Sequence, residues 1–424
     1  MEKIYIKTFG CSLNRSDSEV MAGILKKAGF EIVNKAEDAN LVIINSCTVK
    51  GPTEKRFFRY LESISKPVVI AGCISATDPE KLEGYSMISP DQLTNIQQVV
   101  EETLNSHPVA LVAKEKNKRL GLPVLRKNSL IAIIPIAAGC LGEPCAYCKV
   151  KAARGHLVSY PREQILEEVR KAAAEGAKEV WLTAQDSGCW GKNINDSLPK
   201  LLEDVCQVKG DFRVRLGMAN PDQVKGMITP LIHAFRNSKM FRFLHIPVQS
   251  GNDEILQKMR RRYTVEDFRQ IVRDFRAHVP GLTIATDIIC GFPGETREQF
   301  RDSLRLIDET KPDVLNRSRF WPRPKTEAAA MPDQVHPKET KERSRELSSI
   351  FEWIAFERNK LWERWEGYII IDEKGKKEDG RQSWQGRNYA YKPVVVFSDR
   401  DLLWKKIKVK VKTCTQHDLR AVIV

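Results

Sequence analysis

IAIIPIAAGCLGEPCAYC, residues 131–148, decides how this chain is read. Its first seven residues are apolar without interruption, the pattern of a strand buried on both faces. Cys140, Cys145 and Cys148 follow immediately, in a loop carrying Gly139, Gly142 and Pro144. Loops at the carboxyl ends of strands are where βα barrels build their sites, and this loop sits at such an end. Three thiolates hold three irons of a 4Fe–4S cluster and leave the fourth iron open to a ligand. Zinc is the competing occupant. It takes four ligands, and His156 is the additional donor nearby.

Outward from this loop the strand–helix rhythm continues. Strands are expected at 131–137, 179–183, 213–216, 242–245, 283–289 and 314–316. Helical patterns at 163–174, 199–208, 222–235, 265–277 and 297–309 separate them. Six βα units in succession predict a full or partial barrel over residues 129–335, a (β/α)6 arrangement. Towards the amino end, strands at 4–7, 41–44 and 68–71 and helices at 16–27 and 92–104, capped by Ser16 and Asp91, predict a parallel α/β domain over 1–107. Residues 108–128, with the polar stretch 114–126, read as a linker. Residues 336–366 read as a charged helical connector. Residues 367–424 read as a small β-barrel with strands at 368–372, 393–397, 407–411 and 421–424. The fold class is therefore α/β with a carboxyl-terminal β-barrel.

Composition narrows the setting. Hydrophobic residues make up 42% and charged residues 29%, ordinary values for a soluble globular protein. No apolar run approaches the roughly 18 residues of a membrane span. The opening MEKIYIKTFG is charged and strand-like rather than a secretory leader, so a cytoplasmic location and no membrane partner are expected. The formal net charge of +14 favours a polyanionic partner such as RNA. Residues 367–424 hold 13 basic and 7 acidic residues, whereas residues 1–120 hold 16 and 15. Ten cysteines in a reducing compartment point to metal or cluster ligation rather than disulfides.

A second cysteine set emerges from topology. Cys11, Cys47 and Cys73 each follow one of the three amino-terminal strands. Parallel strands would deliver all three thiols to one sheet edge, where α/β proteins place ligands. Gly10 and Gly72 precede two of them and are expected to clear room for an inorganic core. Three buried packing cysteines are the alternative. Cys189, Cys206, Cys290 and Cys414 lack such placement and read as packing residues.

With both sets in view, the sequence resembles the radical S-adenosylmethionine (SAM) methylthiotransferases along essentially its whole length. Cys11, Cys47 and Cys73 resemble that family's auxiliary-cluster ligands. Cys140, Cys145 and Cys148, with Arg154-Gly155 following, resemble its radical SAM loop. The blocks 244–251 (LHIPVQSG) and 286–295 (TDIICGFPGE) and the step Pro322-Arg323-Pro324 match as well, and the carboxyl-terminal segment resembles the RNA-binding TRAM barrel. The block 386–396 (GRNYAYKPVVV) resembles the archaeal and eukaryotic branch, which acts on threonylcarbamoyladenosine next to the tRNA anticodon. One departure stands out: the family spacing is Cys-x3-Cys-x2-Cys, and here four residues separate Cys140 from Cys145.

The resemblance implies two 4Fe–4S clusters and SAM as cofactors, tRNA as partner, and a reductant and sulfur source of unspecified identity. It implies reductive SAM cleavage at the Cys140/Cys145/Cys148 cluster, activation of adenine C2–H by the resulting radical, and sulfur presented at the other cluster. Gly291, Pro293 and Gly294 are expected against SAM, or as a plain loop-shaping turn. His245 and Gln249, at a strand end, are expected as cofactor or substrate contacts, or as structural residues. Arg387, Tyr389, Tyr391 and Lys392 offer stacking faces beside cations for RNA, with barrel-core packing as the competing role. Arg154 or the pair Arg317/Arg319 are the cations expected for the substrate's carboxylate. Rival functions are methylthiolation of isopentenyladenosine or of a ribosomal-protein Asp, and a non-enzymatic Fe–S or zinc RNA-binding protein.

Overall fold

The computed structural model describes residues 1–48, 51–113, 119–378 and 380–424. They form two compact units, one of residues 1–197, 208–211 and 321–329, the other of 198–207, 212–320 and 330–424.

The first unit is built on a six-stranded sheet, all parallel. Its central strands Lys3–Thr8, Leu41–Ser46 and Val68–Gly72 are those expected from sequence. The strands Glu31–Val33, Ser86–Ile88 and Ala110–Leu111 complete it; at two or three residues each they are too short to show periodicity. Side chains alternate between two cores as a period of two requires. Leu41 and Ile43 pack with Met21, Leu25 and Val99, while Val42 and Ile44 pack with Phe57, Leu61 and Ile74.

Several expected boundaries are corrected. The first helix is Ser12–Lys27, beginning directly behind Cys11. Ser16 is therefore no cap; it lies buried inside the helix and its Oγ donates to the Ile133 carbonyl at 3.2 Å. Asp91 falls inside a 3-10 turn, Pro90–Asn95, that precedes the helix Ile96–Leu104. Of the expected linker, residues 114–118 lie outside the described residues, and 119–128 strap onto the unit. Arg119 pairs with Asp17, the Gly121 N–H donates to Glu168 at 2.8 Å and the Leu125 N–H to the Glu19 carbonyl at 2.9 Å. The strand expected at 131–137 is two pieces. Ile131–Pro135 pairs in parallel with Glu179–Thr183, and Ala137–Ala138 then pairs antiparallel with Val158–Ser159. Pro135, which lacks an N–H, marks the break.

The second unit holds the strand Arg213–Leu216 and a parallel sheet of Phe243–His245, Thr283–Cys290 and Val314–Arg319. Helices Val265–His278 and Arg297–Thr310 alternate with the strands, each opened by a capping box. The helix expected at 222–235 is interrupted by a 3-10 turn, Lys225–Met227, around Gly226. The connector is the helix Pro337–Lys360. A closed five-stranded barrel ends the chain, in the spatial order Glu366–Glu378, Arg381–Arg387, Pro393–Phe397, Leu419–Ile423, Lys406–Cys414. The strand Arg381–Arg387, absent from the sequence reading, carries only Trp384 as a large apolar residue. Ile369, Ile371, Val394, Val396 and Val409 fill the barrel around it. Among the described residues no helix is long and apolar enough to cross a membrane.

Candidate active site

Cys11, Cys47 and Cys73 follow the carboxyl ends of three neighbouring parallel strands, so the expected shared edge is present. Asn14, fully buried in the first turn of the helix behind Cys11, ties the set together. Its Oδ1 lies 3.8 Å from both Cys11 Sγ and Cys73 Sγ and accepts from Arg154 Nη2 at 2.9 Å. Its Nδ2 donates to the Ser46 carbonyl at 2.7 Å, fixing the loop that bears Cys47. Gly10 has φ +113°, and a Cβ there would stand 2.6 Å from Cys47 Cβ and 2.8 Å from its Sγ. The space at Gly10 thus lets one cysteine loop close upon another. A Cβ at Gly72 would likewise meet Asn45 and Ser46. The expectation that these glycines clear room for an inorganic core is corrected accordingly.

The charge around this set comes from the loop of the other cysteines. Arg154 closes the helix Val150–Arg154 and is 1% exposed. It pairs with Asp17 at 2.6 Å and hydrogen-bonds the Cys73 thiol. Burial works against its charge, but Asp17 and the cysteines Cys73 and Cys11 outweigh that and hold its pKa above the usual range. Burial pushes the Cys73 thiol up, and Arg154 opposes the rise. Arg154 Nη1 is buried with no hydrogen-bond partner. Three thiols beside a buried cation with a spare donor suit an anionic, thiolate-ligated cluster. On that chemistry the residues fit the group.

Cys140, Cys145 and Cys148 are half-buried in their loop. The Cys140 N–H donates to the Gly155 carbonyl at 3.2 Å, and the Cys148 N–H to that of Cys145 at 3.0 Å. The Val150 N–H points at Cys148 Sγ, 3.4 Å away, a donor suited to a thiolate. The four-residue spacer turns at Gly142, whose carbonyl accepts from Lys151. His156, the donor zinc would require, is exposed. Among the described residues no three His, Cys, Asp or Glu side chains form a site for a single metal ion.

The two sets share one electrostatic frame. Lys149, next to Cys148, is buried on Asp78 with Nζ–O distances of 2.7 and 2.8 Å, and Asp78 follows the short helix that Cys73 opens. Arg323 is 4% exposed. It bonds to Thr48, next to Cys47, and reaches Glu54 at 3.1 Å. Arg323 interacts electrostatically with Cys47 and Cys148 alike, and its Nη2 is buried without a partner. Arg154 and Arg323 stand inside the matched sequence blocks, Arg323 with no expected role, whereas Asn14, Asp17, Asp78 and Lys149 are not among the expected site residues. Their available signal was proximity: polar residues within a helical turn or so of a cysteine. Arg154, engaged with Asp17 and Asn14, is corrected as a cation for the substrate's carboxylate.

In the second unit, His245 Nε2 lies 3.2 Å from both oxygens of Asp287, which also accepts from Asn316 Nδ2 at 2.6 Å. Asp287 and Asn316 are register partners on adjacent parallel strands, and His245, which pairs with Ala285 two residues earlier, reaches along the strand to Asp287. Gln249 has φ +71° and is held there by its N–H on the Asp287 carbonyl and its carbonyl on the Ile289 N–H, at 2.7 and 2.9 Å. The turn Gly291-Phe292-Pro293-Gly294 is clamped from behind. Gly291 N–H donates to Glu295 at 2.7 Å, Glu295 is buried on Arg343 of the connector helix, and Gly294 N–H donates to the Asp333 carbonyl at 2.7 Å. Gly291 has φ +74°, and a Cβ there would meet Thr340 Oγ1 at 2.4 Å.

Of the four residues expected to face RNA, Lys392 is 3% exposed, with its ammonium on Asp313 at 3.0 Å and Asn359 at 2.8 Å. Tyr391 packs against Phe241 and Phe243, and Arg387 stacks on Tyr391. These three are corrected to packing roles, because the turn 388–392 seats Tyr391 and Lys392 within the unit and Arg387, at the end of the strand Arg381–Arg387, is drawn onto the Tyr391 ring. Tyr389 lines an open cleft. Cys189, Cys206 and Cys290 are buried as expected, with thiols pushed up by burial, to about 12 for Cys206 and Cys290. Cys414 is half-buried.

Comparison with known proteins gives two family matches. Residues 3–89 match the model of the uncharacterized protein family UPF0004, and residues 134–307 that of the radical SAM superfamily. A threonylcarbamoyladenosine tRNA methylthiotransferase of Xenopus laevis is 39% identical, over 99% of this chain and 76% of that protein. A probable enzyme of the same name from Methanothermobacter thermautotrophicus is 36% identical, over 97% of this chain and 98% of its own. Among solved structures, the radical SAM methyltransferase TsrM of Kitasatospora setae, with cobalamin and a [4Fe-4S] cluster bound, superposes with a TM-score of 0.55. That match has 15% identity and covers 77% of each chain, a likeness of fold.

Proposed function

The chain belongs to the threonylcarbamoyladenosine tRNA methylthiotransferases, radical SAM enzymes that use an iron–sulfur cluster and SAM, and from that premise we propose that it adds a methylthio group to C2 of N6-threonylcarbamoyladenosine beside the tRNA anticodon. The observation that carries this reading is the pairing of two cysteine triads in one unit, linked through Arg154. We assign one 4Fe–4S cluster to Cys140, Cys145 and Cys148 and a second to Cys11, Cys47 and Cys73. When bound, the clusters supply the electron for SAM cleavage and the site from which sulfur is transferred.

The chain's own residues do the rest. Arg154 and Arg323 offset the thiolate charge of the triads and hold their loops together. The backbone of Gly291, Pro293 and Gly294, stiffened by Glu295 and Arg343, forms a wall for the adenosine part of SAM. His245, oriented by Asp287, and Gln249 supply polar contacts beside it. Arg317 and Arg319, two apart and therefore on one face of the strand Val314–Arg319, are the cations for the threonyl carboxylate. The barrel of residues 367–424 serves as the RNA handle. A reductant and a sulfur donor are the further reactants.

Reconstituted enzyme, incubated with tRNA, SAM, a reductant and sulfide, should yield 2-methylthio-threonylcarbamoyladenosine by nucleoside mass spectrometry. Isopentenyladenosine should react poorly, since it leaves the paired arginines without an anion. Equal reaction of the two nucleosides, or modification of a ribosomal protein alone, would overturn the assignment.

A further inference from the structure

The second unit carries a cleft that the proposed chemistry does not use. It has a volume of about 590 Å³ and opens beside Gly281 and Leu282, at the amino end of the strand Thr283–Cys290. The turn Gly291–Gly294 lies at the other end of that eight-residue strand, roughly 25 Å away at 3.3 Å per residue. The cleft is therefore separate from the SAM end of the unit.

Its floor is unbalanced in charge. Asp313 is buried, and one carboxylate there meets three cations: Lys392 at 3.0 Å, Arg358 at 3.1 Å and Arg276 at 3.7 Å. Arg358 and Arg276 reach on to line the cleft, where Arg364 and a single carboxylate, Glu363, join them, leaving three cations against one anion. Arg276 turns its Nη groups to the carbonyls of Thr310 and Lys311, while its Nε is buried with no hydrogen-bond partner. Burial and the neighbouring Arg358 hold Arg276 below its ordinary range. A cluster of this kind repels itself, and an anion entering the cleft would relieve it.

The walls are aromatic. Trp362, Trp365 and Tyr389 meet edge to face, with centroids 5.5 to 6.2 Å apart, and Arg242 stacks on Tyr389 at 4.9 Å. Trp365 and Tyr389 keep part of their surface open to the cleft. An inorganic anion would use the arginines and leave the rings idle. A nucleotide uses both, its phosphate on the guanidiniums and its base on the rings. The volume suits one nucleotide.

We propose that this cleft is a second RNA-binding site, taking one nucleotide of the tRNA strand at a distance from the modified base, with its phosphate on Arg276, Arg358 and Arg364 and its base against Trp365 and Tyr389. The inference rests on the tRNA reading above and adds a location to it. The strand is favoured over a free mononucleotide because Tyr389 belongs to the segment 367–424, whose 13 basic against 7 acidic residues suit a longer polyanion.

The test uses full-length reconstituted enzyme and two variants, Arg364→Glu and Arg276→Gln. Arg364 is exposed and forms no ion pair among the described residues, so its reversal should leave the unfolding midpoint and iron content at wild-type values. The tRNA Kd and KM should rise about tenfold in Arg364→Glu, with a salt dependence shallower by about one unit of slope. Arg276→Gln should shift both in the same direction. Unchanged Kd, KM and slope in both variants, with a wild-type enzyme that methylthiolates tRNA, would overturn the cleft and leave the proposed activity standing. Adenosine monophosphate that binds in the cleft without competing against tRNA would overturn the RNA source. Weakened tRNA binding in the variants, alongside a wild-type enzyme that modifies no threonylcarbamoyladenosine, would support the cleft while failing the functional reading.

Discussion

Arg154 shows how much one buried charge can organise. It stands six residues beyond Cys148, on the helix that follows one cysteine loop, yet its partners are Asp17, Asn14 and Cys73 beside the other set. A guanidinium carries a planar fork of donors, which serves two acceptors and still leaves an Nη for a third. Asp17 is itself buried and shared with Arg119. Arg154→Gln would leave that carboxylate with one cation instead of two and should destabilise the enzyme by about 3 kcal/mol. Arg154→Lys keeps the charge without the fork and should lose less. Thermal unfolding of the three forms checks this, and a Gln variant as stable as wild type would remove Arg154 from the framework.

At the scale of elements, the connector helix Pro337–Lys360 does more than connect. Thr340 occupies the space a Cβ would fill at Gly291, and Arg343 holds Glu295, which holds the Gly291 N–H. The tight turn is thus set from behind by a helix that reads in sequence as a charged connector with no part in a site. Gly291→Ala meets two obstacles together, a left-handed φ and a collision with Thr340 at 2.4 Å. It should cost more than about 1 kcal/mol of stability and raise the SAM Kd at least tenfold, measured by equilibrium dialysis on iron-loaded enzyme. Removing the Thr340 side chain as well, in Gly291→Ala/Thr340→Ala, should recover only part of the loss, because the φ strain remains. Full recovery would show that collision alone fixes the glycine.

At the scale of the whole molecule, two triads predict two separable iron sites. Reconstituted enzyme should carry about eight irons if each triad holds a four-iron cluster. Replacing Cys140, Cys145 and Cys148 by Ala should remove half the iron and all SAM cleavage. Replacing Cys11, Cys47 and Cys73 should remove the other half and leave SAM cleavage in place. Iron analysis and assay of 5′-deoxyadenosine check both arms, and SAM cleavage surviving the first replacement would sink the assignment.

The sequence by itself determined the βα succession, the carboxyl-terminal β character and the two cysteine sets. Buried strands and cysteines at strand ends are local signals: continuous apolar runs such as residues 41–44 and 68–71, each ending at a thiol after a short turn. Only the tertiary structure decided what surrounds the triads and which cations remain available. Arg154, Lys149 and Arg323 meet Asp17, Asp78 and Thr48 across 137, 71 and 275 residues of chain, and no periodicity encodes a pairing at that separation. The same limit explains Lys392 and Tyr391. Read in line, GRNYAYK is a basic, aromatic segment suited to RNA; folded, its ammonium lies on buried Asp313 and its second tyrosine between Phe241 and Phe243. A charge's availability depends on its neighbours in space, and the fold alone supplies those.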